Sequence, residues 1–337
     1  MFSAEKDPTQ EVTVKSESVP SDSQSSPTIA VIVGAGFIKV AQGNNYRLIR
    51  SLINSVLPRG LSPSDELLKV VITDSHYKKT FAVGEQLDGF SGTRSLKQEQ
   101  LKAEYMGSII LGVVASILQP VGYTTCKIIF SVPTPELQKQ LETQLPGMHS
   151  VFLNDGDRST LNVLTVTGIP ESLSSAYALA KDSPVSVIDL GFMNSSVSGW
   201  DPNNNIPLPF HSLHTGVGDL FESIAAAINT TGQRPTAEAV RLGVEARTFK
   251  LNGHGDIEFR DIYDREFDLW VSQVITQVKD VAKASIDRCP YKYIVGGGSL
   301  LPGMGEIIKS MGFLAVDNPQ RLEAEGALSL GTFLYEQ

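Results

Sequence analysis

Near its amino end the chain reads Ile29-Ala-Val-Ile-Val-Gly-Ala-Gly-Phe-Ile-Lys39. The apolar run before Gly34 predicts a buried β-strand, because a strand covered on both faces carries continuous apolar residues. Gly34 and Gly36 predict a tight turn, and Phe37 to Ala41 predicts a second strand paired with the first. Small residues in such a turn let backbone N–H groups approach phosphate oxygens, and Lys39 adds a positive charge. The segment therefore predicts a hairpin that could hold phosphate groups.

The same glycines allow a second interpretation, a dinucleotide-binding turn of the GxGxxG type. That motif opens a helix, and its third glycine falls where Lys39 stands in this chain. It also needs an acidic residue about 20 positions further on to bind a ribose, and none lies there. Gly43-Asn-Asn45 favours a hairpin rather than a helix. A dinucleotide-dependent oxidoreductase stays an alternative to the phosphate hairpin.

Composition and charge limit the class of protein. The 337 residues are 41% hydrophobic and 19% charged, which is typical of a globular chain long enough for two domains. The net charge of −9 disfavours direct binding to nucleic acid or to acidic membranes. No apolar run reaches the length of about 18 residues that a transmembrane helix needs, so we predict no membrane span. Cys126 and Cys289 belong to no metal-binding pattern, and we expect two reduced thiols in a cytoplasmic protein.

The residue pattern divides the chain into three segments. Residues 1–27 are rich in polar residues and proline, and we predict a disordered tail. Residues 28–180 open with the strand and hairpin and then alternate helical and strand patterns. Residues 181–337 repeat that order from the strand Val185 to Leu190, and end in a helical pattern. The predicted fold class is α/β, with two similar domains that flank a cleft.

Four motifs, in this order along the chain, resemble segments of the actin-like ATPases. The first phosphate loop of that family has the form Asp-x-Gly-x-Gly-x-x-Lys, which Ile32 to Lys39 follows except at the first position. A Pro-x-x-Glu at a helix start resembles Pro133 to Glu136. The second phosphate loop follows a strand ending Asp-x-Gly, as at Asp189 to Gly191, and the adenosine-binding turn is similar to Ile294 to Gly298. From about residue 28 onward the chain thus resembles the bacterial ParM/StbA group of the actin, Hsp70 and sugar-kinase fold. The resemblance implies two actin-like domains, at 28–180 and 181–337, with a last helix that returns to the first.

The resemblance also implies roles for particular residues. Asp189 would bind Mg²⁺ through water and serve catalysis, and Glu136 would position the attacking water. The other implied contacts to the nucleotide are Gly34, Ala35, Gly36, Phe37, Lys39, Gly191, Gly216, Gly218, Asp219, Gly296, Gly297 and Gly298. The implied cofactors are Mg²⁺ and ATP, or GTP in its place.

Two positions depart from the family's pattern. Ile32 stands where the first loop carries its Asp, and an apolar side chain cannot bind the hydration shell of a hard cation. Phe192, Met193 and Asn194 follow the second loop, where the family carries Gly and Thr. These departures argue against rapid hydrolysis more than against the fold.

The function implied by the resemblance is a cytoplasmic protein that binds ATP with Mg²⁺ and assembles into filaments, in plasmid or DNA segregation or in cytoskeletal positioning. Because the chain is acidic, we expect any link to DNA to pass through an adaptor protein. The alternative is a non-hydrolysing structural or interaction protein with a degraded phosphate site. A metabolite kinase or a chaperone-like ATPase would share the fold, but neither a segment typical of a sugar site nor a peptide-binding domain is found.

Overall fold

The structure is a computed structural model. It describes residues 26–64, 67–74, 77–97, 99–119, 122–156, 158–229, 235–251 and 257–336. Residues 1–25 of the predicted tail lie outside the described residues.

One large mixed sheet forms the first lobe in the described part of the chain. Its ten strands are β1 (Thr28–Val33), β2 (Phe37–Gln42), β3 (Asn45–Arg50), β4 (Leu52–Asn54), β5 (Leu67–Ile72), β6 (Lys79–Gly84), β7 (Arg94–Ser95), β8 (Tyr123–Val132), β9 (Gly147–Leu153) and β10 (Arg158–Pro170). Their order across the sheet is β3-β2-β1-β8-β10-β9-β5-β6-β4-β7. The apolar strand β1 pairs antiparallel with β2 and parallel with β8. Because helices cover both faces of the sheet here, β1 is buried from Ile29 to Val33.

Three helices belong to the first lobe, and they are α1 (Glu99–Leu118), α2 (Pro135–Gln144) and α3 (Leu173–Leu179). By length and composition, α1 could cross a membrane over Gln100–Leu118, but 72% of its most apolar stretch is buried inside the protein. It packs against β1, β2, β5 and β9. A Cβ added at Gly112 would lie 2.8 Å from a methyl carbon of Val70, so the glycine lets α1 lie close to the sheet. Since its apolar residues meet the sheet, α1 is the core helix of this lobe.

A smaller sheet forms the second lobe. Its strands are β11 (Val185–Leu190), β12 (Ser195–Asp201), β13 (Ile206–Leu213), β14 (Tyr291–Val295) and β15 (Leu314–Ala315), in the order β13-β12-β11-β14-β15. The helices that follow in the chain are α4 (Val217–Asn229), α5 (Ala237–Glu245), α6 (Arg260–Asp287), α7 (Met304–Ser310) and α8 (Pro319–Tyr335). As in the first lobe, the opening strand is paired antiparallel with the next strand and parallel with a later one. The predicted α/β class is confirmed, and each sheet opens with the same strand and hairpin.

The last helix, α8, packs on the first lobe. It contacts α3, β1 and β2. A Cβ added at Gly326 would lie 2.1 Å from the carbonyl oxygen of Ser174, so a glycine is required for this approach of α8 to α3. Ala324 and Ala327 of α8 belong to one buried apolar cluster with Ile32 of β1 and Val187 of β11. The two lobes are therefore joined by a continuous apolar seam.

Candidate functional site

A cavity of about 540 Å³ lies between the two lobes. Pockets of about 300–1,000 Å³ hold small organic ligands in proteins. Three segments that the sequence singled out meet in its wall, the β1–β2 turn, the end of β11 and the turn after β14. The predicted residues that line the cavity are Gly34, Ala35, Gly36, Phe37, Lys39, Asp189, Gly191, Gly296, Gly297 and Gly298. Three loops that are far apart in the sequence therefore meet at one cleft.

Hydrogen bonds hold the β1–β2 turn in place. The amide of Gly34 donates to the carbonyl oxygen of Phe37 at 3.0 Å, which closes the turn. The Ser51 hydroxyl donates to the carbonyl oxygen of Gly34 at 2.6 Å, and the Ser51 amide donates to that of Gly36 at 3.1 Å. Arg50 Nη1 donates to the same Gly36 oxygen at 2.9 Å. The end of β3 therefore engages the carbonyl oxygens of the turn and fixes its orientation at the cavity.

The loop after β11 is tied to the start of α4. The Gly218 amide donates to the carbonyl oxygen of Phe192 at 2.7 Å, and the Val217 amide donates to that of Gly191 at 3.0 Å. A Cβ added at Gly216 would lie 2.4 Å from the carbonyl oxygen of Met193, so only a glycine permits this approach. The loop and the first turn of α4 form one backbone unit.

Phe192, in the loop after β11, packs against the β1–β2 turn and the first turn of α4. Its ring lies 4.4 Å from Lys97 Nζ and 5.8 Å from the guanidinium carbon of Arg50, measured to the ring centroid. A Cβ added at Gly36 would lie 3.4 Å from the Cβ of Phe192. The aromatic residue that departs from the family's pattern thus packs against the first loop and lines the cavity. Two cations lie over its face, as cation–π contacts require.

A buried charged group lies at the base of the cavity. Lys39 Nζ forms an ion pair with Glu323 Oε2, and the two side chains are only 12% and 6% exposed. Burial raises the pKa of Asp189 to about 7, and the carboxylates of Glu323 and Glu171 add to that rise. Burial lowers the pKa of Lys39, but Glu323 and Asp189 together outweigh it, so the pKa is raised and the ammonium form is favoured. Lys39, Asp189 and Glu323 therefore act as one electrostatic unit, which we call the Lys39 cluster.

The turn after β14 holds the carboxylate of Asp189. Gly296 has φ of 82°, in the left-handed region that favours glycine. A Cβ added there would lie 2.1 Å from Asp189 Oδ1 and 2.8 Å from the carbonyl oxygen of Leu190. The Ser299 hydroxyl donates to the carbonyl oxygen of Gly296 at 2.7 Å. The absence of a side chain at Gly296 is what lets the carboxylate lie against the turn.

Comparison with solved structures agrees with this architecture. A filament of ParM from Clostridium botulinum matches with a TM-score of 0.74 and 17% identity, over 91% of this chain and 99% of that one. The archaeal actin homologue Ta0583 in complex with ADP matches with a TM-score of 0.69 and 17% identity, over 92% and 100%. The chain has the actin fold. The predicted resemblance is confirmed at the level of the fold.

A third solved structure shares this fold. ParM from Bacillus thuringiensis with ATP matches with a TM-score of 0.61 and 15% identity, over 93% of this chain and 100% of that one. No protein-family model matches the sequence, and no curated protein does.

An ion network joins the two lobes of this actin fold at the mouth of the cleft. Arg50 of β3 bonds Glu238 of α5 at 3.1 Å. Glu238 also accepts from Arg241 Nη2 at 2.5 Å, and Arg241 Nη2 lies 3.8 Å from Glu85, which follows β6. Arg241 also forms an ion pair with Glu245 of the same helix. Because Arg50 also bonds the β1–β2 turn, the network connects that turn to the second lobe.

Four of the predicted site residues lie outside the cavity wall. Glu136 is exposed in the first turn of α2, where a carboxylate interacts favourably with the helix dipole. Pro133, just before that helix, does line the cavity. Gly216 and Gly218 pack on the loop after β11, and Asp219 Oδ2 accepts from the Gly216 amide at 2.9 Å. Gly216, Gly218 and Asp219 therefore shape the start of α4 and do not form part of the cavity wall.

The structure adds charged wall residues that the sequence analysis did not single out. These are Arg50, Lys97, Lys102, Glu171, Glu245, Arg247 and Glu323. Lys102 Nζ bonds Glu171 at 3.0 Å. No motif marks these positions, because some lie on helices or strands and others, such as Lys97, Glu171 and Arg247, lie in connecting segments that look ordinary in sequence.

The described residues do not fit a directly bound metal ion. They contain no group of three or more His, Cys, Asp or Glu side chains placed to hold one. Ile32 lines the cavity where a ligand from β1 would lie, and Asp189 shares its surroundings with the ammonium of Lys39. Magnesium favours oxygen ligands, so an ammonium and an apolar side chain are poor neighbours for it.

Proposed function

We propose that this chain is an actin-like protein that binds a nucleotide, ATP or GTP, between its two lobes and assembles into filaments. The observation that carries the proposal is the convergence of three glycine-containing segments, one from the first lobe and two from the second, on one cavity of about 540 Å³. Glycines let backbone amides approach phosphate oxygens closely. A ligand that touches both lobes would also couple its own binding to their relative position.

The charges of the cavity wall support a phosphate ligand. The cavity is lined by Lys39, Arg50, Lys97, Lys102 and Arg247 together with the carboxylates of Glu171, Asp189, Glu245 and Glu323, so the cations outnumber the carboxylates by one. Side-chain cations and backbone N–H groups are the donors that proteins use for phosphate oxygens. The apolar part of the wall includes Leu301 and Phe221, which suits the flat face of a base. A nucleotide therefore fits the residues that are present.

Solved structures with this fold support the filament part of the proposal. The ParM of Clostridium botulinum was solved as a 15-stranded filament, and Alp12 was also solved as a filament. Ta0583 was solved with ADP, and the ParM of Bacillus thuringiensis with ATP. By analogy, we propose a cytoplasmic role in plasmid or DNA segregation or in cytoskeletal positioning, with an adaptor protein where DNA is involved.

Hydrolysis is the part of the chemistry that the site supports least. Glu136 lies outside the wall, and Ile32 and Phe192 occupy the positions where the resemblance implies polar or small residues. Phosphoryl transfer to water depends on positioned charge and a positioned water. We therefore propose slow turnover or none, with the nucleotide acting as a structural ligand of the filament.

Nucleotide binding is tested by filling the cavity. Ala35 lines it, and an Ala35→Trp substitution would place an indole in the space for the phosphates. We expect this variant to lose binding of a fluorescent ATP analogue in an equilibrium titration. The matched control is Ala284→Trp, on the exposed surface of α6, which should bind as the parent does. Equal binding by both variants would place the nucleotide elsewhere or contradict the proposal.

Filament formation is tested by electron microscopy and sedimentation of the purified chain, with ATP, with GTP and without nucleotide. We expect filaments that depend on nucleotide, together with little phosphate release. Soluble monomers under all three conditions would contradict the filament proposal. Fast phosphate release would contradict the proposal of slow turnover. The electron micrographs would still decide whether filaments form.

A further inference from the structure

The cation at the base of the cavity is supplied by the protein. Ile32 and Lys39 are opposite partners in the antiparallel β1–β2 pair, so their side chains lie on the same face of the sheet. Both line the cavity. At this position β1 presents the apolar side chain of Ile32 instead of an oxygen ligand for a metal. The neighbouring strand β2 presents the ammonium of Lys39.

One carboxylate pairs directly with that ammonium, and a second acts on it electrostatically. Glu323 of α8 forms an ion pair with it, and Asp189 of β11 lies close enough to raise the pKa of Lys39. A metal ion at the base of the cavity would compete with the ammonium for these carboxylates. A divalent ion would have to displace Lys39 or accept a positive neighbour at close range, and either is unfavourable in a buried site.

We infer that the ammonium of Lys39 takes the place of a divalent cation, so that this chain binds its nucleotide without Mg²⁺. The inference rests on the proposed nucleotide site and names how that site neutralises the phosphates. Lys39 is held in the cavity wall by its ion pair with Glu323, and the carboxylate of Asp189 adds a favourable charge interaction. Lys97 and Arg247 lie in the same wall and can balance part of the extra charge of a metal-free triphosphate.

The experiment is an equilibrium titration of the full chain with a fluorescent ATP analogue, in excess MgCl₂ and in excess EDTA. We expect dissociation constants that agree within about threefold. Binding that is about tenfold or more weaker in EDTA would overturn the inference and leave the nucleotide site standing. Absence of binding in both buffers would overturn the proposed function and this inference with it.

A reciprocal change sharpens the test. Lys39→Ala removes the ammonium and leaves Asp189 and Glu323 available to the water shell of a metal ion. We expect this variant to bind about tenfold or more weakly in EDTA, and to recover part of that loss in MgCl₂. Lys39→Arg keeps a cation at the site and should bind without Mg²⁺.

The control is Lys139→Ala, which removes an exposed lysine from α2 and should match the parent in both buffers. Circular dichroism melts establish that each variant is folded before it is titrated. If folded Lys39→Ala binds equally well in MgCl₂ and EDTA, and as tightly as the parent, the ammonium does not act in place of the metal.

Discussion

At the scale of single residues, Asp189 is a carboxyl group whose ionised form is destabilised by its surroundings. Its carboxylate is buried against Gly296 and shares the Lys39 cluster with Glu323. Burial costs an ionised carboxyl group much of its hydration, and a second carboxylate nearby adds repulsion. One ammonium cannot fully offset both effects, so the pKa of Asp189 rises to about 7. The ionised carboxylate of Asp189 therefore destabilises the folded state at neutral pH.

A pH prediction follows from Asp189. Its pKa is 3.8 in the unfolded reference and about 7 in the folded chain. The folded state therefore binds the proton more tightly, and stability is lost as pH rises between these two values. Relative to Asp189→Asn, we expect the parent's free energy of unfolding to fall by roughly 2–4 kcal/mol from low to neutral pH. Urea denaturation of both proteins across this range measures the difference, and a constant difference would contradict the prediction.

Gly296 provides a test of packing at the same site. Gly296→Ala would force a methyl group against the Asp189 carboxylate and the Leu190 carbonyl oxygen, at a φ of 82°. We expect it to destabilise the chain by about 2–4 kcal/mol. Gly305→Ala is the matched control, because Gly305 lies in α7 and a Cβ there would meet nothing within 4 Å. The control should be neutral, or stabilising by about 0.5–1 kcal/mol, in the same denaturation experiment.

At the scale of elements, the fold places the ends of β3 and α5 opposite each other across the cleft. Arg50 reaches from β3 to Glu238, and Glu238 also binds Arg241 of its own helix. Arg241 is the largest fully buried side chain of the described residues, and Glu238 and Glu245 more than offset the burial that lowers its pKa. Ion pairs of Arg50 and Arg241 therefore link the α5 helix to the first lobe.

Removing the shared carboxylate should weaken this attachment. Glu238→Gln leaves the buried guanidinium of Arg241 with less negative charge, and we expect a loss of about 1–3 kcal/mol. Hydrogen exchange in α5 should also become faster. Glu325→Gln, which breaks the exposed pair with Arg321 on α8, should cost about 0.5 kcal/mol or less. Equal effects of the two substitutions would show that the network contributes no more than a surface ion pair.

At the scale of the whole molecule, a ligand in the cleft would touch both lobes at once. The apolar seam of α8 and the ion network of α5 already join the lobes without it. A ligand bound by the folded state alone raises the free energy of unfolding in proportion to the logarithm of its concentration. The nucleotide should therefore stabilise the molecule as one unit rather than one lobe.

This expectation can be measured in a thermal melt. At a nucleotide concentration of about 100 times Kd, we expect the free energy of unfolding to rise by about 2.7 kcal/mol and a single transition to move upward. Ala35→Trp should show no shift under the same conditions. A shift confined to one of two separate transitions would indicate that the ligand contacts a single lobe.

Local patterns in the sequence were enough for the elements that surround the cleft. The strands β1, β2, β11 and β14 are short apolar runs followed by small or glycine residues, and such runs predict buried strands without knowledge of the rest of the fold. The long strand β10 was not predicted, although its apolar residues alternate with Thr, Asn and Ser and the turn residues Asn154-Asp-Gly156 stand directly before it. The hairpin with β9 was missed together with it, so here the local signal was present and was not used.

The sequence by itself determined the α/β class, the glycine turns and the departures at Ile32 and Phe192, since each of these is a property of neighbouring residues. Only the tertiary structure decided which charges meet. Lys39 and Glu323 are 284 residues apart, and Glu323 lies on a helix whose buried face cannot be assigned from motif spacing. Arg50 and Glu238 are 188 residues apart and meet only because the lobes face each other. Ion pairs of this kind depend on the packing of whole elements, which local propensities do not specify.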